Sequence, residues 1–293
     1  MGLRTRATQV DKAALVAQRI KRRSAIADKL SRMPTLSLWE MQDVGGCRAV
    51  LPTVAGACDL AEVHRRRPAR HQMLWERNYV DKPKGDGYRS IHFVYEYRSD
   101  RNHTYDAMRI EIQIRSHLQH VWATAVETVD AFEEQGLKSG RGEDDWRRFF
   151  ALMGDVIARK EGCPRVPGVP TSTDSLKSEL AGYVERLDVE SRLGAYRLAA
   201  RRISAVGAKG WGYYVLELRP KEHSVLIRRY KGSLNGAATA SQEYFRTEAQ
   251  NQDDPSRDVV MVKVRSLQAL KSAYPNYFSD TREFMDLVRE AIG

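Results

Sequence analysis

A short segment with alternating side chains constrains the fold of this chain more than any other feature. It reads Arg109-Ile-Glu-Ile-Gln-Ile-Arg115, so its isoleucines fall on one face of an extended backbone and its polar side chains on the other. Such alternation is typical of a strand with one buried face rather than of a helix. The segment therefore predicts a strand with Glu111 and Gln113 on its polar face, although a solvated sheet presents the same pattern.

A second alternating segment, Tyr88–Phe93, precedes this strand and predicts an antiparallel neighbour. The two polar faces then form one surface that carries Tyr88, His92, Glu111 and Gln113. Asp43 lies at the start of another predicted strand and supplies a second carboxylate. Two carboxylates at strand ends, with lysines and arginines in surplus, are what a Mg²⁺ site that handles phosphates needs. The residues alone thus predict a Mg²⁺-dependent enzyme that acts on nucleotides.

Basic residues are in excess and unevenly distributed. The chain has 48 lysines and arginines against 38 aspartates and glutamates, which gives a net charge of +10. Residues 1–34 contain nine basic and two acidic residues, and Arg65, Arg66, Arg67 and Arg70 form a second cluster. Such positive fields attract nucleotides, RNA or acidic surfaces, although solvated basic helices are also common.

Length and composition exclude several classes of protein. At 293 residues the chain is longer than a single ordinary core needs, and two domains are expected. No apolar run reaches the ~18 to 20 residues of a membrane span, and the N-terminus lacks an apolar signal core, so a cytoplasmic location is expected. The three cysteines, at scattered positions, exclude a disulfide framework and a Cys-x-x-Cys metal site.

The spacing of apolar residues and of helix breakers predicts the order of elements along the chain. A basic helix is expected over 8–32, another helix over 55–70, a loop over 77–87, and two helices after the Glu111 strand. A long helix over 174–205, a β-hairpin, a strand and short helices complete the chain.

A change in composition divides the chain into two predicted units. Residues 163–171 contain three prolines and a glycine and predict a linker. Residues 1–162 then form one domain, and residues 172–293 form a small α+β module without a recognisable phosphate loop or metal cluster. This module is expected to tune or assemble the protein, and a fragment of residues 1–162 is expected to keep nucleotide binding and some activity.

Five segments, in this order and at compatible spacing, resemble the synthetase domain of the RelA/SpoT family. They are Arg19-Ile-Lys21 with Lys29-x-x-Arg32, Gln42–Arg48, Lys84-x-x-Gly87-Tyr88-Arg-Ser-Ile-His92, Glu111–Arg115 and His120–Ala123. The resemblance covers about residues 15–140. It implies an α/β (α+β) fold like that of nucleotidyltransferases, with a mixed sheet flanked by helices. It also implies a GTP diphosphokinase, which moves the β,γ-pyrophosphate of ATP to the 3′-hydroxyl of GDP or GTP and makes ppGpp or pppGpp.

The resemblance implies a role for each matched residue. The residues that hold ATP are Arg19, Lys21, Lys29 and Arg32. The catalytic residues are Glu111, Asp43 and Gln113, of which Glu111 activates the 3′-hydroxyl while Asp43 and Glu111 bind Mg²⁺. The residues that bind the acceptor are Lys84, Tyr88, His92, Arg48, Arg115 and His120. Arg48 is equally suited to a structural salt bridge.

Two departures from the family pattern bear on this interpretation. No His-Asp dipeptide occurs, so the hydrolase activity of long family members is not expected. Val126 and Glu127 stand where many members have a Glu-His pair, which puts acceptor binding in question, whereas Trp122 is expected in the core.

Other functions and partners remain open at this point. One alternative is a toxin-type relative that acts on the 3′ end of tRNA or on adenine nucleotides, and another is an inactive nucleotide-binding module. The expected partners are ATP and a guanine nucleotide, with tRNA as an alternative acceptor. No DNA or membrane partner is expected, and the formation of a homo-oligomer is left open.

Overall fold

The structure is a computed structural model that describes residues 2–21, 23–66, 71–100, 103–133, 144–193, 202–204, 212–219, 224–251, 257–264 and 281–293. Its strands are β1 (Leu15–Ile20), β2 (Gly45–Leu51), β3 (Gln72–Asn78), β4 (Ile91–Glu96), β5 (Arg109–Ser116), β6 (Arg202–Ser204), β7 (Gly212–Arg219), β8 (Ser224–Lys231) and β9 (Asp258–Val264). Its helices are α1 (Leu3–Val10), α2 (Arg23–Arg32), α3 (Val54–Arg66), α4 (His117–Glu133), α5 (Asp144–Lys160), α6 (Thr173–Arg186), α7 (Leu234–Gln250) and α8 (Arg282–Ile292), with short 3-10 turns at Leu38–Glu40 and His103–Tyr105.

The described strands form one mixed sheet in the order β3-β4-β5-β2-β1-β9-β7-β8-β6. The pairs β2–β5 and β6–β8 are parallel, and the other neighbouring pairs are antiparallel. Helices α1 and α3 pack against β2, β4 and β5, while α7 packs against β7 and β9. The α+β fold with a mixed sheet flanked by helices is therefore confirmed.

The two alternating segments form neighbouring strands, as the sequence predicts. Strands β4 and β5 are antiparallel and place His92 opposite Gln113. Ile91, Phe93 and Ile114 are fully buried in the core beneath α1 and α3. The polar side chains of β5 consequently lie on the opposite face, where they are free to build a site.

The predicted helix over 8–32 is wrong. The chain instead forms α1, then β1, then α2. Asp11 ends α1, and its carboxylate accepts a hydrogen bond from the backbone N–H of Ala13, which turns the chain towards the strand. Strand β1 pairs with β2 on one side and β9 on the other, and these pairings outweigh the helical spacing of its apolar residues.

Other element boundaries also differ from the sequence prediction. Strand β3 begins at Gln72 and includes the first residues of the predicted loop over 77–87. The long helix predicted over 174–205 is wrong, since α6 ends at Arg186 and Arg202–Ser204 is a strand. The first of the short helices predicted after the last strand lies outside the described residues.

The sheet and the helical core both cross the predicted boundary at 163–171. Strand β9 pairs with β1, and α8 joins α4, α5 and α6 in one apolar cluster. The boundary segment itself is anchored, because the guanidinium of Arg165 binds the buried carboxylate of Asp155, and Val166 is buried. Residues 1–162 and 172–293 therefore share a sheet and a core in this structure.

None of the described helices combines the length and apolar character that a membrane-spanning helix requires. The three cysteines are free thiols, and each is half-buried.

Candidate active site

Five polar side chains beside β4 and β5 form a closed ring of hydrogen bonds. His92 Nδ1 lies 2.7 Å from Glu111 Oε1, and His92 Nε2 lies 2.7 Å from the Tyr88 hydroxyl. Gln113 Nε2 donates to Glu111 Oε2 at 2.8 Å. Arg115 Nη2 closes the ring by donating to the Gln113 carbonyl oxygen at 3.0 Å and to the Tyr88 hydroxyl oxygen at 2.9 Å. The residues that the sequence assigns to one surface thus do meet.

The direction of each hydrogen bond in this ring follows from the donors available. Arg115 can only donate, so the Tyr88 oxygen accepts from it and donates its own proton to His92 Nε2. His92 then carries its remaining proton on Nδ1 and donates it to Glu111. Burial by itself raises the pKa of Glu111, but the hydrogen bonds from His92 and Gln113 outweigh burial and place that pKa below its usual value. Glu111 is therefore an ionised, oriented acceptor.

The second carboxylate of the site is that of Asp43, which forms ion pairs with two ammonium groups. Lys21 Nζ lies 2.5 Å from Asp43 Oδ2, and Lys29 Nζ lies 2.9 Å from Oδ1. Lys21 directly follows β1, where its backbone N–H binds the Val44 carbonyl, and Lys29 projects from α2. Burial alone would raise the pKa of Asp43, but Lys21 and then Lys29 more than offset it, so the pKa lies below its usual value. Asp43 is thus ionised beside a concentrated positive charge.

The two carboxylates lie near each other because β2 and β5 are parallel neighbours. Their register aligns Gly46 with Glu111, and Asp43 precedes Gly46 by three residues. The charge of Asp43 raises the pKa of Glu111, which shows that the two groups interact. No group of three or more His, Cys, Asp or Glu side chains is placed to hold a metal among the residues described. The side chains of this site that could hold a metal are the two carboxylates, and Mg²⁺ binds one or two carboxylates when its other oxygen ligands come from phosphates and water.

Cations lie close to the aromatic ring of Tyr88, at one side of the hydrogen-bonded ring. The Lys84 ammonium lies 5.3 Å from the centre of the Tyr88 ring, and the Arg115 guanidinium lies 5.2 Å from it. Arg115 is 3 % exposed, and its Nε and Nη1 atoms have no hydrogen-bond partner within the described residues. A buried cation with unpaired donors lowers the stability of the fold, so this side of the site is suited to an anionic or carbonyl-bearing ligand.

Comparison with protein families identifies the segment that holds these residues. Residues 18–135 match the family model described as "Region found in RelA / SpoT proteins". We refer to this segment as the RelA/SpoT region, after the family model that it matches. Its bounds include both carboxylates, both lysines and the complete hydrogen-bonded ring.

The chain is also similar to solved structures of other proteins. Small alarmone synthetase 1 from Bacillus subtilis, bound to its product pppGpp, is 24% identical over 50% of this chain and 74% of its own, with a TM-score of 0.44. A GTP pyrophosphokinase family protein from Streptococcus pneumoniae is 24% identical over 55% of this chain and 82% of its own, with a TM-score of 0.45. No curated protein matches the chain.

Several other predicted site residues of the RelA/SpoT region have different surroundings. Arg48 is 9 % exposed and forms an ion pair with Glu127 at 3.8 Å, so it makes a salt bridge between β2 and α4. His120 is buried in α4. Arg32 lies exposed at the end of α2, and the side chain of Arg19 lies outside the described residues.

The second basic cluster is partly neutralised. Arg65 binds Glu62 and Glu76, and Arg66 binds Glu62. The rest of the cluster, Arg67 and Arg70, lies outside the described residues. These ion pairs reduce the positive charge that this cluster offers to RNA.

Helix α5 supports the RelA/SpoT region from outside it, a feature that the sequence analysis missed. Gly87 has a φ of +88° and packs against the α5 backbone, and a Cβ atom on Gly154 would lie 2.6 Å from the Gly87 Cα atom. Trp122 donates from Nε1 to the Phe150 carbonyl at 2.9 Å, and its ring centre lies 6.3 Å from that of Tyr88. The prediction of Trp122 as a core residue is confirmed, and the loop before Tyr88 depends on α5 for its position.

We expect Gly154→Ala to lower kcat/KM for the acceptor on the order of tenfold or more. The new methyl group forces the Gly87 loop away from α5, and small displacements of a substrate-positioning group carry large rate penalties. Gly182→Ala is the matched control, because a Cβ atom there has no neighbour within 4 Å and should stabilise α6 by up to ~1 kcal/mol. Steady-state kinetics and thermal unfolding of both variants test this; equal kinetics would separate the Gly87 contact from function.

Proposed function

We propose that this protein is a Mg²⁺-dependent pyrophosphokinase that transfers the β,γ-pyrophosphate of ATP to the 3′-hydroxyl of GDP or GTP, yielding ppGpp or pppGpp, respectively, and AMP. The observation that carries the proposal is the pair of ionised carboxylates, Asp43 and Glu111, on adjacent parallel strands of a RelA/SpoT region. Two lysines flank one carboxylate and a histidine orients the other. This arrangement suits the transfer of a highly charged group to a hydroxyl.

The reaction needs in-line geometry and neutralisation of charge more than covalent chemistry. The 3′-oxygen of the acceptor forms a bond to the β-phosphorus of ATP, the bond from that phosphorus to the α,β-bridging oxygen breaks, and AMP leaves with the electron pair. Glu111, held by His92 and Gln113, accepts the hydrogen bond of the 3′-hydroxyl and takes its proton as the bond forms. Mg²⁺, when bound, supplies positive charge to the phosphate oxygens.

The basic groups around Asp43 provide the donor side of the site. Lys21 and Lys29 are ammonium groups that phosphate oxygens can attract away from Asp43, which leaves the carboxylate free to bind the metal. On the acceptor side, Tyr88 offers a ring for a base, and Lys84 and Arg115 offer positive charge. The presence of both carboxylates, Asp43 and Glu111, argues against an inactive binding module.

The experiment that tests the proposal follows the label of [γ-³²P]ATP. Purified protein is incubated with Mg²⁺ and, in separate reactions, GDP, GTP, AMP or tRNA, and each product is analysed for transferred label. We expect label on GDP and GTP, and none with Glu111→Gln. Label on tRNA or AMP alone would assign the toxin-type activity instead, and label on no acceptor would overturn the proposal.

We expect Lys29→Met to increase the affinity for Mn²⁺ without nucleotide on the order of tenfold, about 1.4 kcal/mol. The variant removes one of the two ammonium groups that occupy the Asp43 carboxylate and repel a cation there. The measurement is Mn²⁺ titration by electron paramagnetic resonance. Lys12→Gln is the control of equal charge change, since Lys12 precedes β1 at the end away from Lys21. The same Mn²⁺ affinity in all three proteins would remove Asp43 from the metal site.

A further inference from the structure

Tyr79 lies against the hydrogen-bonded ring although no sequence motif assigns it a role. It follows β3, and its backbone N–H binds the Ser90 carbonyl at 3.0 Å, which ties it to the start of β4. Its ring meets that of His92 edge-on at 5.3 Å and that of Tyr88 at 5.8 Å with an angle of 70°. Tyr79 and Tyr88 therefore form an aromatic corner next to the site.

The ammonium of Lys84 sits in this corner. Its Nζ atom lies 4.7 Å from the centre of the Tyr79 ring and 5.3 Å from that of Tyr88. Within the part of the chain that the structure describes, no carboxylate pairs with this ammonium, so its close neighbours are the faces of two rings. A cation at such distances is attracted by the negative face of each ring, and Tyr79 holds it more closely than Tyr88 does.

The rings of Tyr79 and Tyr88 differ in the contacts that compete with the Lys84 ammonium. Tyr88 is fixed at its hydroxyl by His92 and Arg115, and a base that stacks on its face competes with the ammonium already there. Among the residues that the structure describes, the hydroxyl of Tyr79 makes one hydrogen bond, a long one of 3.5 Å with Arg77. Tyr79 can therefore keep Lys84 beside the site after a base has taken the face of Tyr88.

We propose that Tyr79 is a positioning residue that holds the Lys84 ammonium for the 5′-phosphates of the acceptor while Tyr88 receives the base. The inference rests on the proposed function, because it assumes a phosphorylated nucleotide as acceptor. It assigns Tyr79 no contact with the reacting atoms, so it acts on acceptor binding and not on the chemical step. The ligand class that the corner selects is a nucleoside 5′-phosphate rather than the free nucleoside.

The first experiment compares Tyr79→Leu, which removes the ring, with Tyr79→Phe, which keeps it. In Tyr79→Leu the KM for GDP should rise about two- to fivefold, the range expected for one exposed cation–π contact. The kcat and the KM for ATP should stay at the wild-type values, Tyr79→Phe should retain the wild-type KM, and the KM for guanosine should be the same in all three proteins. In a Lys84→Met background, Tyr79→Leu should cause no further rise.

Three results would overturn the inference. A rise in KM for guanosine as large as that for GDP would make Tyr79 a base platform or a structural residue. Additive effects of Tyr79→Leu and Lys84→Met would show that Tyr79 does not act through Lys84. Loss of kcat in Tyr79→Phe would place its hydroxyl in the reaction, contrary to the proposal.

A second readout is independent of catalysis. In protein labelled with ¹³C at lysine Cε, the Lys84 signal, identified by its loss in Lys84→Met, should show a ring-current shift that disappears in Tyr79→Leu and remains in Tyr79→Phe. Adding GDP should move this signal. If GDP moves it but no pyrophosphate is transferred, the proposed reaction fails while the inference stands. If the wild-type signal has no ring-current shift, or GDP leaves it unmoved, the inference fails.

Discussion

Glu111→Gln should lower pyrophosphate transfer about 10²-fold or more while the protein remains folded. The amide has nearly the same shape as the carboxylate, but it has lost the charge that accepts the proton of the 3′-hydroxyl. It also disturbs the ring, because His92 and Gln113 both donate to Glu111 and only one amide oxygen can accept from them. The loss should therefore appear in kcat, measured at saturating ATP and acceptor.

The control for this variant is Glu96→Gln. Glu96 lies at the end of β4 next to β5, and it pairs with Arg98 at the surface, away from the ring. The Glu96→Gln variant removes the same charge from the same part of the sheet, and its activity should equal that of the wild type. Thermal unfolding of both variants checks that the fold is kept. Wild-type turnover of a folded Glu111→Gln protein would exclude Glu111 from the chemistry.

The sequence predicts the β4–β5 surface because the signal is local. Alternation over a few residues fixes which side chains of a strand share a face, and strands that follow each other closely in sequence are commonly antiparallel neighbours. The contacts between His92, Glu111 and Gln113 follow from that geometry. Their roles in the reaction are predictions that the kinetics of Glu111→Gln test.

Strand β1 shows where sequence reasoning fails. Its residues, Leu15–Ile20, also fit a helical spacing, and the deciding interactions come from β2 and from β9 near the other end of the chain. A window of a few residues contains neither partner, so tertiary pairing overrides the local pattern. The contact of Gly87 with Gly154 is hidden for the same reason, since each glycine by itself resembles an ordinary loop or helix residue.

The role of the C-terminal residues is also set by distant contacts. Helix α8 inserts Phe284, which is 1 % exposed, beside Phe149 and Phe150 of α5, with ring centres 6.1 and 5.9 Å apart. A hydrogen bond between His117 and Glu283 and an ion pair between Lys160 and Glu290 also hold α8 to α4 and α5. Because α5 also supports the loop before Tyr88, helix α8 is connected through packing to the side of the site that contains Tyr88.

Phe284→Ala should lower the free energy of unfolding by about 3–5 kcal/mol, the cost of removing a buried aromatic ring from a packed core. That is a large share of the ~5–15 kcal/mol that stabilises a typical domain. The loss of stability should appear in urea unfolding. The kcat/KM for the acceptor should also fall, because α5 loses its packing partner. Leu234→Ala is the matched control: Leu234 is 90 % exposed at the start of α7, and its removal should leave both measurements unchanged.

Because α5 would lose the same packing partner, we expect a fragment of residues 1–162, which lacks α8 and β9, to be poorly folded, although the sequence alone predicts an active domain. A soluble, active fragment, together with a Phe284→Ala protein as stable as the wild type, would show that residues 172–293 are an independent module after all.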